Sequence, residues 1–452
     1  MTDFDPVLTA QQLAAAYVQS AQAQLNASQK TIERTSTGLS SLRSALSAFD
    51  SALASLSSNT NGLRQFSTTV SVPDIANASA SSRAQPGTYS FHVEQLATAH
   101  QLVFEGLPAV PVAMGGPLVV QLADGSSFIV NLLEADTNND GTISQAEIAR
   151  AINQAENNQG KVTASLVTLE GSTKLLLTAG ATGEANAISL DTSGLAPGDL
   201  KNALDAGEEL VAARDAIIWL GGQGGIEIRQ SSNTLTAIEG VSITFTRAMA
   251  ADEAPLTITV SADKSGTADN VQKFVDAYNK LKSALDSLTK VSTDASVAPG
   301  AFATDAGVRA LRNTLTSILR QEFGGLTLVD LGIKATRDGT LSLDRDKLEK
   351  TLAANPSALD DFFGKASLTA PSGLLGALDR YLDAWLRTGT GHLASRQASL
   401  EIQQKRLNER QARVDAQYEQ AYIRYLQQFT QLQALQAQMN QTSGLFAALG
   451  VG

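Results

Sequence analysis

Residues 18–56 read VQSAQAQLNASQKTIERTSTGLSSLRSALSAFDSALASL. Val18, Leu25, Ile32, Leu39, Leu46 and Leu53 recur at every seventh position, and Leu42, Phe49 and Leu56 form a second series offset by three or four. Two interleaved heptad series make one apolar seam along a helix, the pattern of a coiled coil. The second series is weak at first, because Ala21, Ser28 and Thr35 fill its early positions. Gly38 interrupts the run and reads as a bend.

The other end of the chain carries a matching seam. Leu400, Leu407, Val414, Ala421 and Leu435 form one series, broken by Gln428. Tyr418, Tyr425, Leu432 and Met439 form the other, whose first members are Gln404 and Gln411. No proline follows Pro371 and no glycine lies between Gly391 and Gly444. A helix of about 45 residues is roughly 70 Å long, and it needs a partner to be stable. The expected arrangement is an antiparallel pairing of the two ends. Its glutamine-containing layers weaken the pairing and leave part of the seam for other subunits.

Between the ends the period changes from seven to two. Tyr89–Val93, Leu118–Leu122 with Phe128–Leu132 around Asp124-Gly125, and Val162–Thr168 opposite Leu175–Thr178 alternate apolar and polar residues. Tight Gly turns separate them, as in antiparallel hairpins. One helix, Gln145–Ala155, interrupts the strands. Helical spacing returns with Val271, Phe274, Val275, Tyr278, Leu281, Leu285 and Leu288, and further helices are expected at Ala306–Glu322, Arg345–Ala353, Pro356–Phe363 and Gly373–Arg387. A short strand is expected at Leu341–Leu343. The fold class is α+β. Residues 1–45 with 395–452 form a discontinuous helical coiled-coil stalk. Residues 46–80 with 265–394 make a mixed, mostly helical domain, and 81–264 make the β-rich middle.

Composition narrows the function. In 452 residues there is no cysteine, which removes disulfides, thiolate metal sites and a cysteine nucleophile. The formal charge of −11 offers no basic stripe for nucleic acid. The acidic opening lacks the basic-then-apolar order of a signal peptide, and no apolar run is long enough to span a bilayer. The expectation is a cytosolic protein or one exported by a signal-independent route.

One segment carries explicit chemistry. Asp136-Thr137-Asn138-Asn139-Asp140-Gly141-Thr142-Ile143-Ser144-Gln145-Ala146-Glu147 satisfies an EF-hand loop. Asp136, Asn138 and Asp140 supply side-chain oxygens, Thr142 its carbonyl, Ser144 a direct or water-mediated ligand and Glu147 a bidentate carboxylate. Ca²⁺ at 136–147 is the one cofactor expectation, and none is required. The competing reading is a turn followed by a capping box. A strand precedes the loop, so a paired helix–loop–helix is not expected. Little else invites catalysis. His92 and Glu94 read as a solvated strand face, and Gly221-Gly222-Gln223-Gly224-Gly225 reads as a β-turn.

The segment Pro86–His100, PGTYSFHVEQLATAH, resembles the PGTYSVxVxQLAxAH stretch of the flagellar filament cap proteins (hook-associated protein 2, FliD). Ala213–Ala216, Ser231–Leu235 continuing into Ile238–Val241, Phe274–Asn279, Leu331–Lys334 with Asp338–Leu341, and Tyr425–Thr430 with Met439–Ser443 resemble further family motifs, in the family's order. The family's opening near GLGSGLD is absent. The resemblance implies a secreted structural protein that forms a homo-oligomeric ring at the filament tip. Its partners would be flagellin and a cytoplasmic export chaperone, with no nucleic acid, no membrane insertion and no enzymatic activity. Leu25, Ile32, Leu39, Leu46, Leu400, Leu407, Val414, Tyr418, Tyr425 and Leu432 would form the seam of its legs. Adhesion is a contribution its middle domains are placed to add. The alternative function is a surface adhesin or glycan-binding module with no part in filament growth.

Overall fold

The computed structural model describes residues 5–57, 62–169, 171–294, 296–364 and 372–450, except the side chains of 169 and 446–449. Its chain divides into two compact units, Met1–Ser58 with Thr267–Gly452 and Asn59–Gly266. The helices are α1 (Pro6–Leu56), α2 (Gln145–Gln154), α3 (Asp199–Asp205), α4 (Lys264–Thr289), α5 (Ala306–Leu319), α6 (Arg345–Ala354), α7 (Ala358–Phe363), α8 (Gly373–Leu386) and α9 (His392–Leu449).

The first unit is built on α1 and α9. Asp5 caps α1 by accepting from the Val7 and Leu8 N–H groups, satisfying donors that a helix start leaves open. The helix then runs unbroken through Gly38. The glycine is there for packing, not for a bend: a Cβ would stand 2.6 Å from the Ala301 Cβ and 3.2 Å from the Phe302 ring. At the other end of α1, Leu42, Leu46 and Phe49 are buried. Phe49 packs against Phe274 and Tyr278 of α4, with ring centroids 6.5 and 6.4 Å apart. Phe274 meets Phe363, Phe363 meets Phe362 and Phe362 meets Phe323, all edge-on. This aromatic run joins α1 and α4 to α7. The helical periodicity of residues 271–288 thus marks the core face of α4, since all seven residues read from it are buried. Helix α5 stops at Leu319, earlier than its pattern suggests, because the Arg320 N–H turns back to Ser317 and Ile318.

The second unit holds two cores. Its strands in chain order are β1 (Phe66–Val70), β2 (Ala76–Ala80), β3 (Gly87–Gln95), β4 (Gln101–Phe104), β5 (Val110–Pro111), β6 (Pro117–Leu122), β7 (Ser127–Asn131), β8 (Thr142–Ile143), β9 (Val162–Leu169) and β10 (Ser172–Ala179). There follow β11 (Ile188–Asp191), β12 (Glu208–Val211), β13 (Ala216–Leu220), β14 (Ile226–Gln230), β15 (Thr234–Leu235), β16 (Val241–Phe245) and β17 (Leu256–Ala262). A five-stranded antiparallel sheet in the order β1-β17-β3-β13-β14 and a three-stranded sheet β15-β16-β2 enclose one core around Phe91, Val93, Ile218, Ile243 and Ile258. The order β12-β4-β10-β9, the sheet β11-β6-β7 and helix α2 enclose the other, around Phe104, Leu118, Val120, Leu132, Ile148 and Leu175.

The hairpins read from alternation are present, with Val120 opposite Phe128 and Leu175 opposite Leu166. The start of the β-rich part differs from expectation. β1 pairs residue by residue with β17, and β2 with β16, so residues 66–80 belong to the β-rich unit and not to the helical domain assigned to 46–80. Strand β18 (Ile333–Ala335) pairs with β19 (Leu341–Leu343) in the helical unit.

Candidate functional site: the stalk seam and the acidic loop

The stalk is the antiparallel pair α1–α9. Leu25, Ile32, Leu39 and Leu46 of α1 are buried, as are Leu400, Leu407 and Val414 of α9. Tyr418 and Tyr425 are half-buried. Leu432 is 42 % exposed, and Leu435, Met439 and Leu445 beyond it are more so.

Two polar layers set the phase. Gln22 and Gln411 exchange side-chain hydrogen bonds of 3.2 and 3.0 Å, and one heptad further in, Gln404 donates to Gln29 at 3.5 Å. The two pairs step in opposite directions by one heptad. Pro6, where α1 begins, is therefore level with about residue 427, and the rest of α9 has no α1 alongside it. That geometry explains the exposed apolar residues after 425. Arg424 closes the paired part, stacked over the rings of Tyr17 and Tyr425.

The base of the stalk holds residues that sequence reasoning missed. Arg396 donates to Asp305 at 2.9 Å and lies over the Trp385 ring at 5.1 Å. Asp305 also caps α5 by accepting from the Val308 N–H. Burial alone would raise the Asp305 pKa, but the Arg396 guanidinium and that N–H hold the carboxyl below its ordinary value. A Cβ at Gly307 would stand 2.3 Å from the guanidinium, so the glycine makes its seat. On α1, Arg34 donates to the Pro299 carbonyl at 2.7 Å. A single arginine on a polar helix reads as surface, and the fold alone reveals its partner.

The acidic loop lies in the second unit, between the short 3₁₀ turn Leu132–Glu134 and α2. Asn139 and Gly141 adopt left-handed φ values of 60° and 80°, which tighten the turn. Asp136 accepts from the N–H groups of Asp140 and Gly141, at 3.3 and 2.9 Å. Asn138 Oδ1 accepts from the Asp140 N–H at 2.9 Å, and Asp140 from the Thr142 N–H and hydroxyl at 2.8 and 2.7 Å. Glu147 is 3 % exposed. Its carboxylate accepts from the Ser144 N–H and hydroxyl at 2.9 and 2.8 Å, and from the Thr137 N–H at 3.1 Å. Ser144 and Glu147 form a complete capping box on α2. Bonds from Thr142 and Asn138 hold the Asp140 carboxyl below its ordinary pKa, and those from Ser144 do the same for Glu147. Thr142-Ile143 pairs with Val110-Pro111, anchoring the loop to the core. In this arrangement the carboxylates serve as turn and cap acceptors. Among the described residues no three His, Cys, Asp or Glu side chains are grouped to hold a metal.

The remaining candidates resolve as structure. His92 is buried, not on a solvated face, and lies opposite Trp219, whose indole N–H donates to Glu94 at 2.6 Å. His100 is buried, and its Nδ1 accepts from the Ile188 N–H at 2.8 Å. Burial pushes its pKa down against the pull of Glu209. Residues 221–225 form the β13–β14 turn, three of their glycines at positive φ. No described helix is long and apolar enough to cross a membrane.

This arrangement has known relatives. The profile described as flagellar hook-associated protein 2 C-terminus matches residues 213–441, about half of the chain, and the profile described as its N-terminus matches residues 2–100. A lateral flagellar hook-associated protein 2 of Vibrio parahaemolyticus is 33 % identical over 387 residues, covering 84 % of this chain and 85 % of that protein. The chain belongs to the flagellar hook-associated protein 2 family. A B-type member from Pseudomonas aeruginosa is 32 % identical, with 78 % of this chain and 76 % of the relative covered. The crystal structure of the D1-D2-D3 domains of the flagellar cap protein FliD from Escherichia coli superposes with a TM-score of 0.63 at 25 % identity, spanning 80 % of this chain and 99 % of that one. The family is one of structural flagellar cap proteins, and the matches do not favour the adhesin alternative. The acidic loop lies between the two matched stretches, which end at 100 and resume at 213.

Proposed function

We propose that the chain caps the growing end of the bacterial flagellar filament as a secreted homo-oligomer, and that its work is structural, without catalysis. The α1–α9 stalk is its leg, engaging flagellin or neighbouring copies, and the β-rich unit supplies the plate. The observation that carries this reading is the end of α9, where Leu435, Met439 and Leu445 stand exposed beyond the level at which α1 begins. A surface of that kind is stabilised only by another chain. Before export the same apolar stripe is the segment a cytoplasmic chaperone would cover. The reading is tested in a strain lacking the protein. Unpolymerised flagellin should appear in the medium and filaments should be lost. Normal filaments in that strain would sink the proposal.

Calcium at residues 136–147 is a second proposal. Its support is the complete twelve-residue pattern and the contact of Glu147 with Thr137, which brings the two ends of the loop together. Binding must turn the carboxylates from backbone N–H groups toward the ion. At 100-fold excess over the dissociation constant, an ion bound only to the folded state adds about 2.7 kcal/mol. The melting temperature of the β-rich unit should therefore rise in millimolar calcium but not in magnesium. Asp136→Ala with Glu147→Ala should abolish the shift. Identical wild-type melts in chelator and in calcium would leave a turn and a capped helix.

A further inference from the structure

The seam that pairs α1 with α9 repeats in the same period on both helices. On α9 the polar series runs Gln397, Gln404, Gln411 at heptad intervals, and on α1 it runs Gln22, Gln29. The observed register matches Gln22 with Gln411 and Gln29 with Gln404. If α9 moves outward by one heptad, Gln22 meets Gln404 and Gln29 meets Gln397, so both amide layers are kept. Two apolar layers are kept as well: Val18 comes level with Leu407 and Leu25 with Leu400. Any smaller shift sets a glutamine against the leucine layer and breaks both half-buried amide pairs. A lone polar layer specifies one register. A ladder of them at the heptad spacing specifies a set of registers seven residues apart.

What selects among them lies at the base. Arg396 ties the start of α9 to Asp305 and Trp385, in a seat that Gly307 leaves open. Arg34 and Gly38 hold α1 against the segment carrying Pro299, Ala301 and Phe302. Inward movement of α9 is blocked by that packing. Outward movement by one heptad is roughly 10.5 Å. Unwinding the first five residues of α9 supplies about that length, since an extended residue spans roughly 2 Å more than a helical one. Those residues include Arg396.

We propose that the stalk is a two-register device: α9 can advance along α1 by one heptad, and the Arg396–Asp305–Trp385 contact is the catch that holds the shorter register. The advance lengthens the unpaired end of α9 by seven residues without dissolving the coiled coil. Its use as a leg that binds, releases and rebinds rests on the capping reading, but the register itself is measurable without a filament.

The absence of cysteine makes the test clean. Three double variants of the full chain are oxidised and read as intramolecular disulfides on non-reducing gels. Gln22→Cys with Gln411→Cys reports the observed register, Gln22→Cys with Gln404→Cys the advanced one, and Gln22→Cys with Asn408→Cys a position between them. The first should close fast. The second should close slowly and accumulate over hours, because the disulfide traps each excursion, while the third should stay at background. Adding Arg396→Met, or separately Asp305→Asn, should speed closure of the second pair at least tenfold and leave the third unchanged. Helix content by circular dichroism shows whether each variant is folded, and the hours-long trapping in the unaltered base needs neither. Closure of the third pair as fast as the second would show fraying without a register. No closure of the second pair in any folded background would show a single fixed register. Either result overturns the proposal, and neither bears on whether the chain caps filaments.

Discussion

Replacing Leu46 by Asp should unfold the helical unit and leave the β-rich unit standing. Leu46 is fully buried where α1 joins the base core. Loss of a core leucine removes about 2–5 kcal/mol, and an unpaired carboxylate at the same place adds a penalty of several kcal/mol more. Together these approach the whole stability of a typical domain, about 5–15 kcal/mol. Leu407→Asp differs in kind. Leu407 is also buried, but in a seam only two helices wide, where a carboxylate turns to water at small cost. Its effect should be about 1–3 kcal/mol, confined to the stalk. Circular dichroism at 222 nm during a thermal melt separates the outcomes. Leu46→Asp should have lost most helix at room temperature while a strand-dominated transition remains. Leu407→Asp should keep its main transition and lose only amide-exchange protection in the stalk. Simultaneous loss of all structure in Leu46→Asp would show that the two units fold as one cooperative body.

That contrast follows from how the sequence encodes the molecule. The heptad positions of both ends were legible because one period persists through dozens of residues, and Leu25, Ile32, Leu400 and Leu407 are buried where that period puts them. The hairpins β6–β7 and β9–β10 were legible because their partners are neighbours in sequence and their turns carry glycine. β1 and β2 were not. Their residues are Phe-Ser-Thr-Thr-Val and Ala-Asn-Ala-Ser-Ala, and their partners lie more than 160 residues downstream. No local pattern points that far. The base of the stalk was hidden for the same reason: Asp305 at the cap of α5, Trp385 of α8 and Arg396 of α9 are far apart in sequence and meet only in the fold. In the acidic loop every proposed ligand was legible by spacing. The capping box that occupies Glu147 was legible too, while the bonds that hold Asp136 and Asp140 were not, because one spacing serves both an ion cage and a capped turn.

Ending the chain after Arg424 should abolish capping without destabilising what remains. No charged residue follows Arg424, and Leu435, Met439 and Leu445 are exposed, at 54 %, 63 % and 62 %. A single helix of that length is at best marginal in water, so its removal forfeits little internal stability beyond the Tyr425 contact with Arg424. What it removes is the surface left for another chain. The shortened protein, expressed in a strain lacking the full-length one, should melt at the wild-type temperature, yet leave the cells without filaments and release flagellin into the medium. The two measurements must be read together. Lost filaments with a lowered melting temperature would trace the defect to a damaged stalk and not to a missing contact. Filaments of normal length on the shortened protein would place the essential contact within residues 1–424, and the exposed stripe on α9 would then have no part in capping.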